Sequence, residues 1–239
     1  MLLGVDIGNT TISCGLFRGA RLARRFDVPT AQPALLTRHL RGARVQRAIV
    51  CSVVPRATAA VARILRAAGV SAIRIVGRDL RVPLRNRYRR PRQVGDDRLV
   101  GAYAAWRAYR RTCIICDFGT AITIDIVTRA GDYLGGIIAP GMQISLDALA
   151  TRTALLPTVA LRQPPELLGR DTASSIRSGI LYGCAALCDG LVAQLKRRYA
   201  PTALVVATGG ASKLVCRHTR QIDVVRPNLV LDGLLLLSQ

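Results

Sequence analysis

The sequence predicts an α/β fold built from two related halves. A short motif occurs twice: V-D-I-G-N-T-T-I over residues 5–12 and C-D-F-G-T-A-I-T over residues 116–123. The offset from Asp6 to Asp117 is 111 residues, nearly half of a chain of 239. Each copy follows an apolar run, Leu2-Leu3-Gly4-Val5 or Cys113-Ile114-Ile115-Cys116, of the length and composition of a buried strand entering a turn. Strand and helix patterns alternate through both halves, which selects an α/β architecture. Duplicated D-x-G-[NT] turns further predict two halves facing each other across a cleft that holds a phosphorylated ligand.

The elements follow in order. Residues 1–17 read as a β-hairpin, and Ala20 to Val28 adds a third strand. Pro33 to Arg44 reads as a helix, and Arg47 to Val54 as a buried strand stopped by Pro55. Ala57 to Ala68 has helical composition, ended by Gly69. Ala72 to Val76 is a short strand, followed by a basic loop. Asp97 to Arg110 is an Ala-rich helix with Leu99, Val100, Tyr103, Ala104 and Trp106 as its apolar side. The second half opens with strand 113–117, then Thr123 to Val127 and Tyr133 to Ile138, joined by a Gly131-Asp132 turn. Residues 142–151 read as a helix, 157–170 as a Pro-bearing loop, and 172–199 as a long helix. Thr202 to Ala207 is a strand, and residues 229–237 are a last helix. The expected division is 1–111 and 112–239.

Half of the residues are hydrophobic, enough to bury a core and to exclude disorder. The first residues lack the basic and apolar regions of a signal peptide, and no run of 18 apolar residues is present. The expectation is a cytoplasmic protein without a membrane span. Seven cysteines then read as reduced thiols. Cys113 and Cys116 have metal or redox spacing, but in a strand they point to opposite faces. The net charge is +21, and Lys196 and Lys213 are the only lysines, so nearly all of the positive charge is Arg. Such a chain attracts polyanions at low salt. With 4% aromatic residues it supplies few stacking platforms. Nucleic acid is therefore not the expected partner, although the charge leaves it open. The densest basic stretch, Arg81 to Arg92, fits a solvated loop, a rim gathering anionic substrates, or a nucleic-acid patch.

The turns carry the chemistry. Gly8 and Gly119 let a ligand approach the main chain closely, and successive N–H groups in such a turn form a concave anion site. Asn9, Thr10, Thr11, Thr120 and Thr123 add side-chain donors. A carboxylate beside a phosphate needs a cation between them, so Asp6 and Asp117 imply Mg²⁺ or another cation, held directly or through water. Val94-Gly95-Asp96-Asp97-Arg98 gathers carboxylates and a guanidinium before a helix, where Asp also serves as a plain N-cap. Asp171 before Thr172 has the same two readings. Thr208-Gly209-Gly210 after a strand lets a flat ligand reach the backbone. No G-x-x-x-x-G-K-[ST] is present, which excludes a P-loop.

Taken together, the segments D6-I-G-N-T10, S52-V-V-P55, G95-D-D-R98, D117-F-G-T-A-I-T123, G135-G-I-I-A-P-G141, D171-T-A-S-S-I-R-S-G-I-L-Y-G183 and T208-G-G210 resemble the type III pantothenate kinase family. That family belongs to the acetate and sugar kinase, heat-shock ATPase and actin superfamily. The resemblance implies two ribonuclease H-like (actin-like ATPase) domains around a central nucleotide cleft. It implies phosphorylation of the pantothenate 4′-hydroxyl with ATP and Mg²⁺, the first step of coenzyme A biosynthesis. Asp6, Ile7, Gly8, Asn9, Thr10, Thr11, Ile12 and Ser13 match the first phosphate loop, and Thr120 an ATP contact. Asp97 matches the general base. Tyr88, Gly95, Asp96, Asp97, Arg98 and Thr172 match pantothenate-binding positions. Asp117 matches a site for a monovalent cation, K⁺ or NH₄⁺. Gly209 and Gly210 match the segment that approaches the nucleotide. The family is dimeric, so a homodimer is implied. Asp96 and Arg90 depart from the family pattern, which has a small apolar residue and Asn there. The competing readings are a transcriptional regulator of the Bvg accessory factor type and a kinase of another small alcohol.

Overall fold

Residues 1–239 are described by a computed structural model. They fall into two units, Met1–Arg107 with Asn228–Gln239, and Ala108–Pro227. In chain order the first unit contains β1 (Leu2–Ile7), β2 (Thr11–Arg18), β3 (Arg21–Pro29), α1 (Leu36–Leu40), β4 (Arg47–Ser52), α2 (Pro55–Ala67), β5 (Ala72–Ile75), the two-residue β6 (Arg85–Asn86) and α3 (Asp96–Tyr109). The second contains β7 (Cys113–Phe118), β8 (Ala121–Val127), β9 (Asp132–Pro140), α4 (Met142–Arg152), α5 (Thr172–Arg198), β10 (Leu204–Thr208), α6 (Ser212–Val215) and β11 (Val224–Val225). The last helix, α7 (Leu229–Leu237), returns to the first unit.

Both units repeat one sheet plan, as the duplicated motif predicts. The first sheet runs β3-β2-β1-β4-β5. Its β1-β2 and β2-β3 pairs are antiparallel, and β1-β4 and β4-β5 are parallel. In the second sheet β9-β8-β7-β10-β11 follow the same order, with β7-β8 and β8-β9 antiparallel and β7-β10 and β10-β11 parallel. Asp6 is the penultimate residue of β1, and Asp117 the penultimate residue of β7. Asp6 faces Ser13 across the ladder and Asp117 faces Thr123. The two carboxylates thus occupy equivalent corners of equivalent sheets.

The central strands are buried on both faces and therefore read as unbroken apolar runs. In the first unit Val5, Ile7, Ile12, Cys14 and Val50 pack with Val61 and Leu65 of α2. On the other side of that sheet α7 lays Val230, Leu231 and Leu234 against Leu2, Phe17, Ile49 and Val100. Each such fully buried Leu contributes about 1.5–3 kcal/mol, which ties α7 to this sheet. The expected boundary at 111/112 placed α7 with the second half; its contacts place it with the first. In the second unit Ile114, Cys116, Ile122 and Ile124 pack with Leu181, Cys184, Ala185, Cys188 and Val192 of α5. By length and composition α5 is the one helix long and apolar enough to cross a membrane. Its apolar side is spent on the second core. Asp125, 2% exposed, accepts a hydrogen bond from the buried Tyr133 hydroxyl at 2.7 Å. All seven cysteines are free, and six are buried.

Two expected elements differ in extent. The helix expected over 33–44 is a single 3-10 turn at Pro33–Leu35 followed by α1, which stops at Leu40. Arg41 leaves the helical region (ψ 127°), and Gly42 turns the chain at φ +73°. Pro55, expected to end a strand, also opens α2 at its first turn, where its missing N–H costs nothing. Arg81 to Arg92 is almost wholly loop, with β6 inside it and a 3-10 turn at Pro91–Gln93.

Candidate active site

In the first unit the turn after β1 is closed by Gly8, whose N–H donates to the Thr11 carbonyl at 3.0 Å. Asn9, Thr10 and Thr11 are exposed above it, and Asp6 is half-buried at its base. Thr30, just past β3, donates its hydroxyl to the Gly8 carbonyl at 2.8 Å. Beside this turn, at the end of β4, Val53 N–H bonds the Ile7 carbonyl at 3.1 Å. Ser52 Oγ accepts from Val54 N–H at 3.0 Å and from the Thr58 hydroxyl at 2.7 Å. The S52-V-V-P55 segment is thereby locked between β1 and α2.

G95-D-D-R98 forms the start of α3. Asp97 Oδ1 accepts from the Arg98 N–H at 2.8 Å and lies where a Cβ on residue 95 would sit. Val53 Cγ1 is 3.5 Å from the same point. Glycine at 95 lets the Asp97 carboxylate fold back over the helix start, and a side chain there would displace that carboxylate. The free N–H groups and dipole of that end favour the anion. Asp96 packs on Gly77, which sits at φ +82° with the Asp96 carboxylate in the space a side chain would need. Asp96 is raised above the usual aspartate range, first by burial and then by repulsion from Asp97. The second carboxylate thus neither faces solvent freely nor has a cationic partner. The buried Cys51 thiol is pushed well up by burial, and then by Asp6, Asp97 and Asp96 in that order. Three site carboxylates therefore gather around the end of β4. Tyr88 is half-buried in the basic loop, its N–H bonded to Asn86 Oδ1 at 3.0 Å.

The second unit builds its corner from three segments. Asp117 lies between Thr123 of β8 and Thr208 of β10. Gly209 follows at φ +90°, with Asp117 Oδ1 and the Phe118 backbone in the place of a Cβ. Ala211 N–H bonds the Phe118 carbonyl at 3.2 Å, and Ser212 Oγ donates to the Gly209 carbonyl at 2.7 Å. Gly141, after β9, presses against the carbonyls of Gly119 and Thr120. D117-F-G-T120, P140-G141 and T208-G-G210 are thus one cluster, built on glycines where backbones meet. Thr172 is exposed at the start of α5. Asp171 is the N-cap there, in a capping box with Ser174 (2.9 Å to its N–H). Those bonds, backbone first, hold Asp171 below the usual aspartate range. The plain-cap reading of Asp171 is therefore sufficient for that residue.

No group of three or more His, Cys, Asp or Glu side chains is placed to hold a metal. Each D-x-G corner instead offers one carboxylate among backbone oxygens. That donor set suits a hard cation sharing its shell with water and phosphate. Thr30 and Gly77 carry no motif, and only tertiary contact reveals them.

The doubled sheet plan with an aspartate at each corner is that of the actin-like ATPase fold. A Sinorhizobium meliloti protein described as a 2-dehydro-3-deoxygalactonokinase has this fold, with TM-score 0.59 and 15% identity over 100% of this chain and 98% of its own. So does a Campylobacter jejuni protein described as a conserved Baf family transcriptional activator, with TM-score 0.61 and 15% identity over 99% and 96%. The chain belongs to the type III pantothenate kinase family, whose model matches residues 2–194. Proteins named type III pantothenate kinase from Syntrophotalea carbinolica and Geobacter sulfurreducens are each 37% identical to it, over 99% and 100% of this chain and 98% of their own. The relative from Anaeromyxobacter sp. strain K is 36% identical over 100% of this chain and 99% of its own.

Proposed function

We propose that this protein transfers the terminal phosphoryl group of ATP to the 4′-hydroxyl of pantothenate, the first step of coenzyme A biosynthesis. The observation that carries the reading is family membership along the chain, with both D-x-G corners and Asp97 in place. Asp97 is the general base. It takes the hydroxyl proton as the new O–P bond forms and the bond to ADP breaks. Its fixed Oδ1 and the helix start hold the carboxylate in one orientation. Asp6 to Ser13 cradle phosphates, Thr120 contacts ATP, and Gly209 with Gly210 admits the nucleotide. Arg98 meets the pantothenate carboxylate as a bidentate partner. Tyr88, Gly95, Asp96 and Thr172 complete the substrate contacts. Asp6 would hold Mg²⁺ brought with ATP, and Asp117 would hold K⁺ or NH₄⁺. Such cations neutralise charge on the phosphates. The working form is a cytoplasmic homodimer.

A regulatory reading is supported by the net charge of +21, while the likeness to the Baf family structure is one of fold. The test is a panel of small alcohols incubated with Mg-ATP and K⁺, with products identified by mass. Phosphopantothenate alone supports the assignment. Another phosphorylated alcohol moves it to a different kinase, and no product from any alcohol makes the regulatory reading the one to pursue.

A further inference from the structure

Thr30 belongs to no motif, yet two hydrogen bonds tie it to the first D-x-G turn. Its Oγ1 donates to the Gly8 carbonyl at 2.8 Å, and its N–H donates to the Thr10 carbonyl at 3.0 Å. We propose that Thr30 is a positioning residue for the nucleotide phosphates, bracing residues 8–11 so that the N–H groups of Asn9 and Thr11 face the anion. The inference rests on the ATP-dependent reading above.

The argument is peptide planarity. In a trans peptide the carbonyl and the N–H that follows it point to opposite sides, and the chain has no cis peptide. The Gly8 carbonyl shares its peptide plane with Asn9 N–H, and the Thr10 carbonyl shares its plane with Thr11 N–H. Thr30 draws both carbonyls to its own side, so both N–H groups turn to the other. Thr30 is half-buried, whereas Asn9, Thr10 and Thr11 are exposed. The turn is also closed on itself by the Gly8 N–H to Thr11 carbonyl bond, and a Cβ at Gly8 would stand 3.3 Å from that carbonyl oxygen. Two alternate N–H groups fixed on one side of a tight turn make the concave donor set that anions select. The second corner is braced differently, by the backbone Ala211 N–H on the Phe118 carbonyl. The first brace runs through a side chain that substitution can remove.

The test compares Thr30→Val, of equal size without the donor, with Thr30→Ser, which keeps it. In the ligand-free protein, exchange of the Gly8 amide is expected to accelerate in Thr30→Val and stay unchanged in Thr30→Ser. The Kd for Mg-ATP is expected to rise about five- to tenfold in Thr30→Val, the worth of one neutral hydrogen bond, and to hold in Thr30→Ser. Melting temperatures of both variants identify any loss of fold. Unchanged Gly8 exchange in Thr30→Val overturns the brace whatever ATP does. Faster exchange with unchanged Mg-ATP affinity overturns its role toward phosphate. Failure of the unsubstituted protein to bind Mg-ATP counts against the proposed reaction itself, and the exchange result then decides the brace alone.

Discussion

Replacing Gly209 by Ala perturbs the second corner at the point where β10 meets β7. Residue 209 has φ +90°, a region that costs an L-residue about 1–2 kcal/mol. The added methyl also meets Asp117 Oδ1 and stands 2.7 Å from the Phe118 backbone N and C. Backbone cannot yield as a side-chain tip can, and overpacking of this kind costs about 1–3 kcal/mol more. The sum is about 2–5 kcal/mol, or a fall in melting temperature of roughly 5–15 °C. Gly210 is the control next door, because nothing lies within 4 Å of its would-be Cβ. Gly210→Ala should change stability by no more than about 0.5 kcal/mol. Urea unfolding of the two variants in parallel gives both numbers. If Gly209→Ala is no less stable than Gly210→Ala, the packing of Asp117 against the T208-G-G210 turn is wrong.

Three further outcomes are expected. Asp97→Asn should cut the rate of phosphoryl transfer by at least about a hundredfold while its melting curve stays near that of the unsubstituted protein; retained turnover removes Asp97 from the base role. Exchanging K⁺ for Na⁺ should lower the ADP release rate through the Asp117 site, and equal initial rates in the two salts count against a selective cation there. The raised pKa of Asp96 means that the folded protein holds that proton more tightly than the unfolded chain, so ionisation opposes folding and stability from this group falls as pH rises above its ordinary value of 3.8. Asp96→Asn should therefore gain stability relative to the unsubstituted protein as pH rises above about 4, and a difference that is flat or reversed as pH rises in paired urea titrations contradicts the burial of Asp96 against Gly77.

The sequence was most legible where local chemistry decides. The sequence predicts a last helix at 229–237, and α7 spans those residues, its Leu-rich run interrupted only by Asp232 and Gly233. The two D-x-G corners were legible because Gly after a strand and an Asp has few structural alternatives. The repeat at 111 residues became the repeated sheet order. The partner of α7 was not legible. Its packing on Leu2, Phe17 and Ile49 joins residues more than 180 positions apart, and apolar surface carries no address. The end of α1 at Leu40 is not legible in the helical composition of residues 33–44, because Gly42 at φ +73° outweighs it. Within the site, Asp97 was found by its motif, but the reason for Gly95 lies in Asp97 folding back over it. Thr30 and Gly77 stayed hidden, since each meets its partner only once β3 lies beside β2 or α3 beside the turn after β5.

The measurement that bears most directly on the central claim is the initial rate of ADP release by the purified protein with Mg-ATP and K⁺, with and without pantothenate. The account predicts release that depends on pantothenate, saturates with it, and is lost in Asp97→Asn. ADP release that is indifferent to pantothenate, from protein that binds Mg-ATP, contradicts it.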